Sequence, residues 1–527
     1  MNLRAFFSTF QRDLLAGIVV FFVALPLCLG IANASGVEPF AGLVSGIVGG
    51  LVVAVLSGSR LSVSGPAAGL VVIVVDGIAQ LGSFPAFLAA VLLSGMIQFG
   101  FGMLKAGRFA AYVPSPVIKG MLAAIGILLI IKQFPLALGL FGTSAAAGSP
   151  AAAAVAPGTM MTPFGTISLA ACFITLLSLA ILVGWETRAM RRFAVVRLVP
   201  APLAVVLLGI GATLLLGLLA PSLAPPAEHR VALPPLESFA ALQVALEWAD
   251  FGPHFAQLVN PDVWRVAITL AIVASLETLL SLEAVEQIDP GRQPAAPDRE
   301  LKAQGVGNLI AGAIGGLPIT AVIVRSSANV YAGAQSRLSA IIHGVLLLVS
   351  VFALTSVINL IPLACLAAIL IFTGLKLAKP SLFVAIAKQG FAPFVPFIVT
   401  LAGVLMTDLL IGIVLGVLCS VLLALYANLR SPIVLAQHGD HYLLTFRKDV
   451  SFLAKVPLKH YLQQIPDGAT LIVDATRADF VDHDVRELLD TFAEEAPPRG
   501  IAVEVRHQVR TQARAARGWS MRRAATE

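Results

Sequence analysis

Long apolar runs separated by short breaks fill the chain from Asp13 to Leu429. A helix needs roughly 20 apolar residues to cross a bilayer, and fourteen segments in this stretch come close to that length. Only 12% of all residues are charged, which is about half the share in a soluble domain. Because a helix satisfies its backbone groups without water, these features predict an α-helical membrane protein that crosses the bilayer many times.

A long break at 221–261 divides the fourteen segments into two sets of seven. Each set has an odd number of spans, so the second set must cross the membrane in the opposite sense to the first. Two inverted repeats, at about 13–220 and 262–429, are typical of secondary transporters. The predicted segments are 13–33, 38–57, 64–82, 84–104, 115–138, 164–184, 200–220, 262–286, 300–315, 320–335, 337–358, 361–376, 392–407 and 409–429.

Lys and Arg occur in every second break, for example as Arg60, Lys105 and Arg337. Of the remaining breaks, only the one at 221–261 holds a basic residue, Arg230. Cytoplasmic loops of membrane proteins are enriched in Lys and Arg. Both termini are therefore predicted to lie in the cytoplasm, with the chain in a bacterial inner membrane. The same rule explains the net charge of +6 without a nucleic-acid partner.

Residues from Arg430 onward have the composition of a soluble protein. Strand and helix patterns alternate between 442 and 506, which predicts a small cytoplasmic α/β domain over 430–507. The transporter domain then covers 1–429. The Arg-rich tail at 508–527 is interpreted either as a disordered arm near anionic lipid or as a solubilising tail.

Gly and Pro interrupt the third segment of each half, at Gly65-Pro66 and at Gly316 to Pro318. Pro suits the first turn of a helix, so each segment is predicted to contain an extended stretch and then a helix that starts inside the membrane. Two helix N-termini at mid-membrane present free N–H groups and positive dipole ends, which favour an anion. The alternative is that both interruptions are ordinary kinks at helix contacts.

Two ionisable residues lie within predicted spans, where charge is expensive. Arg325 would add positive potential to the anion site, or hold a carboxylate or helix-end carbonyls. Glu277, with Ser281 one turn later on the same face, would take up H⁺ or help to hold Na⁺ when the anion binds. The alternative for Glu277 is a structural ion pair with Arg325 or Lys132.

The sequence contains no catalytic constellation. Its eight His lack metal-ligand spacing, and its four Cys stand apart within apolar runs. The chain is therefore predicted not to be an enzyme, and to carry no cofactor and no metal beyond Na⁺ at Glu277.

Several short stretches follow one another through the membrane part: Asp13 to Gly17 with Pro26, Ser64 to Pro66, Pro114 to Gly120 with Gln133, Glu277 to Leu280, Gln304 to Pro318, Arg325 to Asn329 with Ala332-Gly333, and Ile361-Pro362 with Leu366 to Leu370. In residues and in order, they resemble the SulP family of anion transporters. This family includes sulfate permeases, cyanobacterial bicarbonate transporters, and animal relatives such as pendrin and prestin.

The resemblance implies the fourteen-span inverted-repeat fold that nucleobase carriers share, with a core domain and a gate domain each drawn from both repeats. It also implies an elevator-like movement of the core, a homodimer, and a C-terminal STAS domain, which 440–507 resembles. By position, the anion would lie between the first, third and tenth segments, beside Glu277. The substrate-binding residues predicted from the resemblance and from the two interruptions are Leu27, Ile31, Gly65, Pro66, Ala67, Ala68, Thr320, Ala321, Val322, Ile323 and Arg325.

The chain departs from the family at several of these positions. Many relatives have a polar residue at the position of Leu27 and an aromatic residue at that of Ala67. Sodium-coupled bicarbonate relatives tend to carry Asp at the position of Glu277, and Gly, Ala and Thr at 321–323. These departures weaken the expectation of a side-chain cage for Na⁺ and favour backbone N–H groups as the anion's ligands. The stretch from Phe480 to Asp484 also lacks the Ser typical of phosphorylated anti-sigma-factor antagonists, which weakens the expectation of phosphoregulation there.

These features together predict a secondary active transporter for a small inorganic anion, bicarbonate or sulfate. It would be a symporter that uses Na⁺ or H⁺ through Glu277. The alternative is an anion exchanger or a channel-like protein of the same family. A nucleobase carrier is disfavoured because such carriers need a second carboxylate near the tenth segment, where Arg325 stands. The residues alone do not choose between sulfate and bicarbonate.

Overall fold

The computed structural model describes residues 3–108, 113–140, 159–162, 165–187, 189–193, 199–219, 229–234, 259–289, 291, 294–429, 433–451, 454–478 and 480–507. Most of the breaks at 139–163 and 221–261 between predicted segments, and the tail at 508–527, lie outside these residues. The chain divides into two compact units, Met1–Val417 and Leu418–Glu527. The boundary at 429 between a transporter domain and a C-terminal domain stays a prediction.

Helices dominate the first unit, and each of the fourteen predicted segments contains one. Eight of the described helices are long and apolar enough to cross a membrane, which confirms a multi-pass helical protein. A π-helical turn, Gly49–Val53, joins α2 to α3. The helices of the first half are α1 (Leu3–Ala34), α2 (Pro39–Val48), α3 (Ala54–Leu56), α4 (Val71–Leu81), α5 (Phe84–Met103), α6 (Ser115–Ala137), α7 (Leu169–Trp185) and α8 (Ala201–Leu219).

The second half contains one helix that the sequence analysis did not predict. This helix, Pro380–Ala387, begins with a Pro in its first turn, where a missing N–H costs nothing. The helices of this half are α9 (Pro261–Ile288), α10 (Pro297–Ala313), α11 (Ile323–Tyr331), α12 (Leu338–Ala353), α13 (Thr355–Ile358), α14 (Leu363–Leu377), α15 (Pro380–Ala387), α16 (Phe391–Met406) and α17 (Leu409–Leu429).

The third segment of each half is a short strand followed by a short helix. Strand β1 (Ser64–Pro66) and a 3-10 turn (Ala68–Leu70) precede α4, and β4 (Ile319–Ala321) precedes α11. Elsewhere in the first half, a hairpin of β2 (Thr159–Thr162) and β3 (Gly165–Ser168) precedes α7. At 1.5 Å per residue, the nine residues of α11 span about 14 Å, or about half of the bilayer core. The predicted interruption of the third segments is therefore confirmed as a change from strand to helix.

The helices of the first unit pack into two groups, and each group draws members from both halves. One group joins α1, α2, α4 and α5 to α9, α10, α11 and α12, and the other joins α6, α7 and α8 to α14 and α16. Small residues allow the backbones of α5 and α10 to approach closely. A Cβ added at Gly305 would lie 2.6 Å from the backbone nitrogen of Phe99. This grouping is the core-and-gate organisation that the family resemblance implied.

The second unit holds a four-stranded sheet in the order β5-β6-β7-β8. The first pair is antiparallel and the other two pairs are parallel, with a helix between successive parallel strands. This arrangement fits the predicted STAS-like α/β domain. Strand β5 was not predicted from the sequence. The elements are β5 (Ile433–His438), β6 (His441–Phe446), α18 (Lys455–Gln463), β7 (Thr470–Ala475), α19 (His483–Glu495) and β8 (Ala502–His507).

We expect Gly305→Val to destabilise the protein by about 1–3 kcal/mol, because the new side chain overlaps the backbone of α5. The measurement is thermal unfolding of the purified protein in detergent. Gly100→Val is the matched control, since a Cβ at Gly100 meets nothing within 4 Å. Equal unfolding temperatures for the two variants would contradict the close approach of α5 and α10.

Candidate functional site

Strands β1 and β4 pair in the interior of the first unit, although each half of the chain supplies only one of them. All six residues of the pair are buried, and the pairing is antiparallel. The helix that follows each strand therefore leaves the strand pair at the opposite end from the other. The facing residues are Ser64 with Ala321, Gly65 with Thr320, and Pro66 with Ile319.

No side chain caps either of the helix starts that follow the strands. Ala67 precedes the 3-10 turn before α4, and Val322 precedes α11; both residues are extended, and neither makes a side-chain capping bond. The first N–H groups of a helix have no partner within the helix. These ends therefore present donors and positive dipole charge. Ile323, 41% exposed, shows that the start of α11 reaches an open surface.

The carboxylate of Glu277, on α9, lies against the 3-10 turn that leads into α4. A Cβ added at Gly69 would lie 2.8 Å from Glu277 Oε2, and this oxygen has no hydrogen-bond partner among the described residues. Lys132 pairs with Asp76 at 3.6 Å instead of with Glu277. No ion pair of Glu277 with Arg325 is found in the part of the chain that the structure describes. The carboxylate therefore faces a helix start rather than a basic side chain.

Arg325 is completely buried beside the strand pair. Its Nη2 donates to the carbonyl oxygen of Pro66 at 3.3 Å, and a Cβ at Gly65 would overlap its Nη1. Facing residues of a strand pair point to the same side, so Arg325 lies on the side of Gly65 and Thr320. Within the described residues, Nε and Nη1 of Arg325 and Oγ1 of Thr320 have no hydrogen-bond partner. Arg325 thus carries a positive charge that no carboxylate among the described residues neutralises, on the side of β1 that Gly65 faces.

The remaining predicted site residues are divided between the core and more open positions. Leu27, Ile31 and Ala67 are buried in one hydrophobic cluster, and Ser281 is buried on α9. Ala68 and Val322 are half-buried next to the two helix starts. The structure brings the strand residues, Arg325, Glu277 and the two helix starts together; their roles toward an anion stay predictions.

Two residues that the sequence analysis did not single out hold the strand pair. Gln304 Nε2 donates to Ser64 Oγ at 2.7 Å. Asn308 accepts from the N–H of Ile319 at 2.6 Å and donates to its carbonyl oxygen at 3.0 Å. The available signal was the spacing of Glu300, Gln304 and Asn308, because polar residues four apart share one helix face.

A cavity of about 510 Å³ lies between α9 and the start of α6. Leu280 and Glu283 of α9 and Pro114 and Ser115 at the start of α6 are among its lining residues. Leu280 lies less than one turn beyond Glu277 on the same helix. The cavity therefore approaches the site from the predicted cytoplasmic side, and it runs between the two helix groups.

Paired broken segments and two helix groups drawn from both halves are the architecture of a membrane transporter. Residues 10–400 match the Sulfate permease family. The chain therefore belongs to this family of anion transporters, as the sequence resemblance predicted. It is a transporter rather than an enzyme.

Individual relatives are similar along much of the chain. YbaR of Bacillus subtilis (strain 168) is 24% identical over 519 residues, which cover 95% of each protein. The bicarbonate transporter BicA of Synechocystis sp. is 27% identical over 383 residues, which cover 70% of this chain and 62% of BicA. The structure of the murine Slc26a9 anion transporter in the inward-facing state has a TM-score of 0.68 at 17% identity. The similarity covers 94% of this chain and 85% of the Slc26a9 chain. This last similarity supports the fold.

We expect Gly65→Ala to destabilise the protein by about 1–3 kcal/mol, because the new methyl group overlaps Arg325. Removal of the guanidinium should relieve the overlap, so the double variant Gly65→Ala with Arg325→Leu should lose less stability than the sum of the single variants. Thermal unfolding of the four proteins of this cycle measures the coupling. Strict additivity would contradict the placement of Arg325 over Gly65.

Proposed function

We propose that the protein is a secondary active transporter of bicarbonate or sulfate. The observation that carries this proposal is the strand pair with its two uncapped helix starts beside the buried Arg325. Backbone N–H groups at helix starts bind anions without a dedicated basic ligand. Membership in the Sulfate permease family and the similarity to a bicarbonate transporter support these two substrates over organic ones.

The anion would bind between the starts of α4 and α11, where Ala67, Ala68, Val322 and Ile323 are the nearest predicted contacts. These side chains offer no polar group, so the ligands would be N–H groups. Arg325 would act from behind β1 through its electric field, since it is completely buried and charge interactions are strong at low dielectric. A site of this kind suits a small, compact oxyanion.

Glu277 would couple the anion to a cation. Its carboxylate lies at Gly69, beside the helix start that the anion would occupy, and two negative charges in one site repel each other. Uptake of H⁺ or binding of Na⁺ at Glu277 would remove this repulsion, so cation and anion would bind together. Ser281 is the further predicted oxygen ligand for Na⁺.

Alternating access would follow from movement of one helix group against the other, as in an elevator. The cavity between α9 and α6 would be the cytoplasmic access route. The Lys132–Asp76 pair joins α6 of one group to α4 of the other. We further propose a homodimer in a bacterial inner membrane, with both termini in the cytoplasm.

Purified protein in liposomes should take up labelled bicarbonate or sulfate in a saturable manner. The inward Na⁺ gradient and the inward H⁺ gradient are applied independently, and unlabelled bicarbonate, sulfate, chloride and uracil compete with the labelled anion. Uptake driven by one cation gradient supports a symporter, and uptake that needs only an internal anion supports an exchanger. Absence of flux for every anion would refute the proposed function.

Glu277→Gln should abolish uptake driven by a cation gradient, because an amide neither takes up H⁺ at neutral pH nor neutralises Na⁺. Asp262→Asn is the matched control, since Asp262 lies in the exposed first turn of the same helix, away from the cavity and the helix starts. The measurement is the initial uptake rate per folded transporter, with folding checked by size-exclusion chromatography. If gradient-driven uptake is unchanged in Glu277→Gln, Glu277 is not the coupling residue.

A further inference from the structure

We infer that Gln304 and Asn308 of α10 are positioning residues, which fix the strand pair β1–β4 and thereby set the affinity for the anion. The inference rests on the proposed function, because the affinity that it concerns is that of the proposed anion site. Both residues are completely buried. Neither residue needs to touch the anion, since each acts on a strand that leads directly into a helix start.

The hydrogen-bond register of the strands shows why β4 needs a partner on its outer side. The N–H of Val322 donates to the carbonyl oxygen of Val63 at 3.0 Å, while the N–H of Val63 donates to Ser326 Oγ at 2.9 Å. The first bond shows that the polar groups of Val322 point toward the partner strand. In an antiparallel pair such positions alternate with positions whose polar groups point away from the partner strand. Ala321 and Ile319 are therefore the residues of β4 whose backbone groups point outward.

Side chains from neighbouring helices bond to three of these four outward groups. The N–H of Ala321 donates to Thr278 Oγ1 at 3.3 Å. Asn308 forms two bonds with Ile319, one with its N–H at 2.6 Å and one with its carbonyl oxygen at 3.0 Å. The amide of Asn308 thus takes the place of a third strand. Because unpaired backbone groups are very costly away from water, these two hydrogen bonds hold β4 in place at Ile319.

The same amide is held in its orientation by a second chain of bonds. Asn308 Nδ2 also donates to Gln98 Oε1 at 2.6 Å, and Gln98 Nε2 donates to Ser275 Oγ at 3.3 Å. Gln98 lies on α5 and Ser275 lies on α9. Asn308 therefore connects β4 to three helices of one group, and a displacement of any of these helices is transmitted to the strand.

Gln304 holds β1 in a similar way, through a hydrogen bond. Its Nε2 donates to Ser64 Oγ at 2.7 Å and to Glu300 Oε1 at 2.9 Å. The other carboxylate oxygen of Glu300 accepts from the N–H of Gly58 at 2.8 Å and from the hydroxyl of Ser57. Both oxygens of the buried carboxylate of Glu300 therefore accept hydrogen bonds. This carboxylate anchors β1 to the segment between α3 and the strand.

Each strand is separated by very few residues from the N–H donors of the helix start that follows it. Ala68 begins the turn two residues beyond Pro66, and Ile323 begins α11 two residues beyond Ala321. Binding sites lose affinity when their groups are held less tightly than about 0.5 Å. Loosening of β1 or β4 should therefore weaken anion binding while the helices still pack.

The test compares Asn308→Ala and Gln304→Met with the control Ser94→Ala. Ser94 is a buried residue of α5 whose hydroxyl bonds to the carbonyl oxygen of Val91 in the same helix. We expect the KM for the anion in liposomes to rise by about fivefold to tenfold in both variants, since each loses bonds of ordinary strength. The maximal rate should change less than KM, and the control should match the wild type.

Amide hydrogen exchange supplies a readout that does not depend on the substrate. Amide exchange at 62–70 and 319–326 should be faster in both variants than in Ser94→Ala. Helices α5 and α9 should stay protected in all three variants. Unchanged exchange at 62–70 and 319–326 would overturn the inference. So would an unchanged KM in variants with lowered thermal stability, or loss of monodisperse protein in both variants, because either result indicates a purely structural role.

The two proposals fail in different ways. If the wild type takes up neither bicarbonate nor sulfate, the proposed function is refuted; the exchange data then decide alone whether α10 positions the strands. If the wild type transports and the variants keep its KM, the positioning role is refuted and the transport function stands.

Discussion

The first unit is organised around the need to pair backbone polar groups at mid-membrane. An unpaired N–H or C=O in hydrocarbon costs several kcal/mol, so a helix that stops inside the bilayer must pass its polar groups to other partners. In this protein, β1 and β4 bond to each other. The side chains of Thr278 and Asn308 accept hydrogen bonds from backbone N–H groups of β4 that point away from β1. The helix starts beyond the strands have no side-chain cap, so they offer N–H donors to a bound ion.

The two buried charges near the strand pair meet backbone rather than each other. Arg325 bonds to the carbonyl oxygen of Pro66, and Glu277 lies at Gly69. Arg325 thus lies on one side of β1, and the ionisable carboxyl of Glu277 lies on α9. This arrangement is compatible with an anion and a cation that bind together.

The sequence alone predicted the features that depend on composition along the chain. Apolar length and the distribution of Lys and Arg indicated the spans, and Gly65-Pro66 and Pro318 indicated the two interruptions. The pairing of β1 with β4 was not predictable, because a three-residue strand carries too little pattern to specify its partner. The bonds of Asn308 were not predictable for a related reason: its backbone partner Ile319, 11 residues away, belongs to that same short strand, and its side-chain partner Gln98 lies 210 residues away. Strand β5 was missed because its outward residues obscure the alternation expected of a strand.

The long separation of paired elements also bears on how the protein is made. Arg325 lies 259 residues beyond Pro66, so at roughly 5–20 residues per second a ribosome needs on the order of ten to fifty seconds to supply β4 after β1. During this interval the first half lacks the partner for its central strand. The newly inserted half must keep Ser64 to Pro66 near water, lipid headgroups or an insertion factor. Until β4 is made, the first half therefore differs from the finished transporter by an unpaired strand.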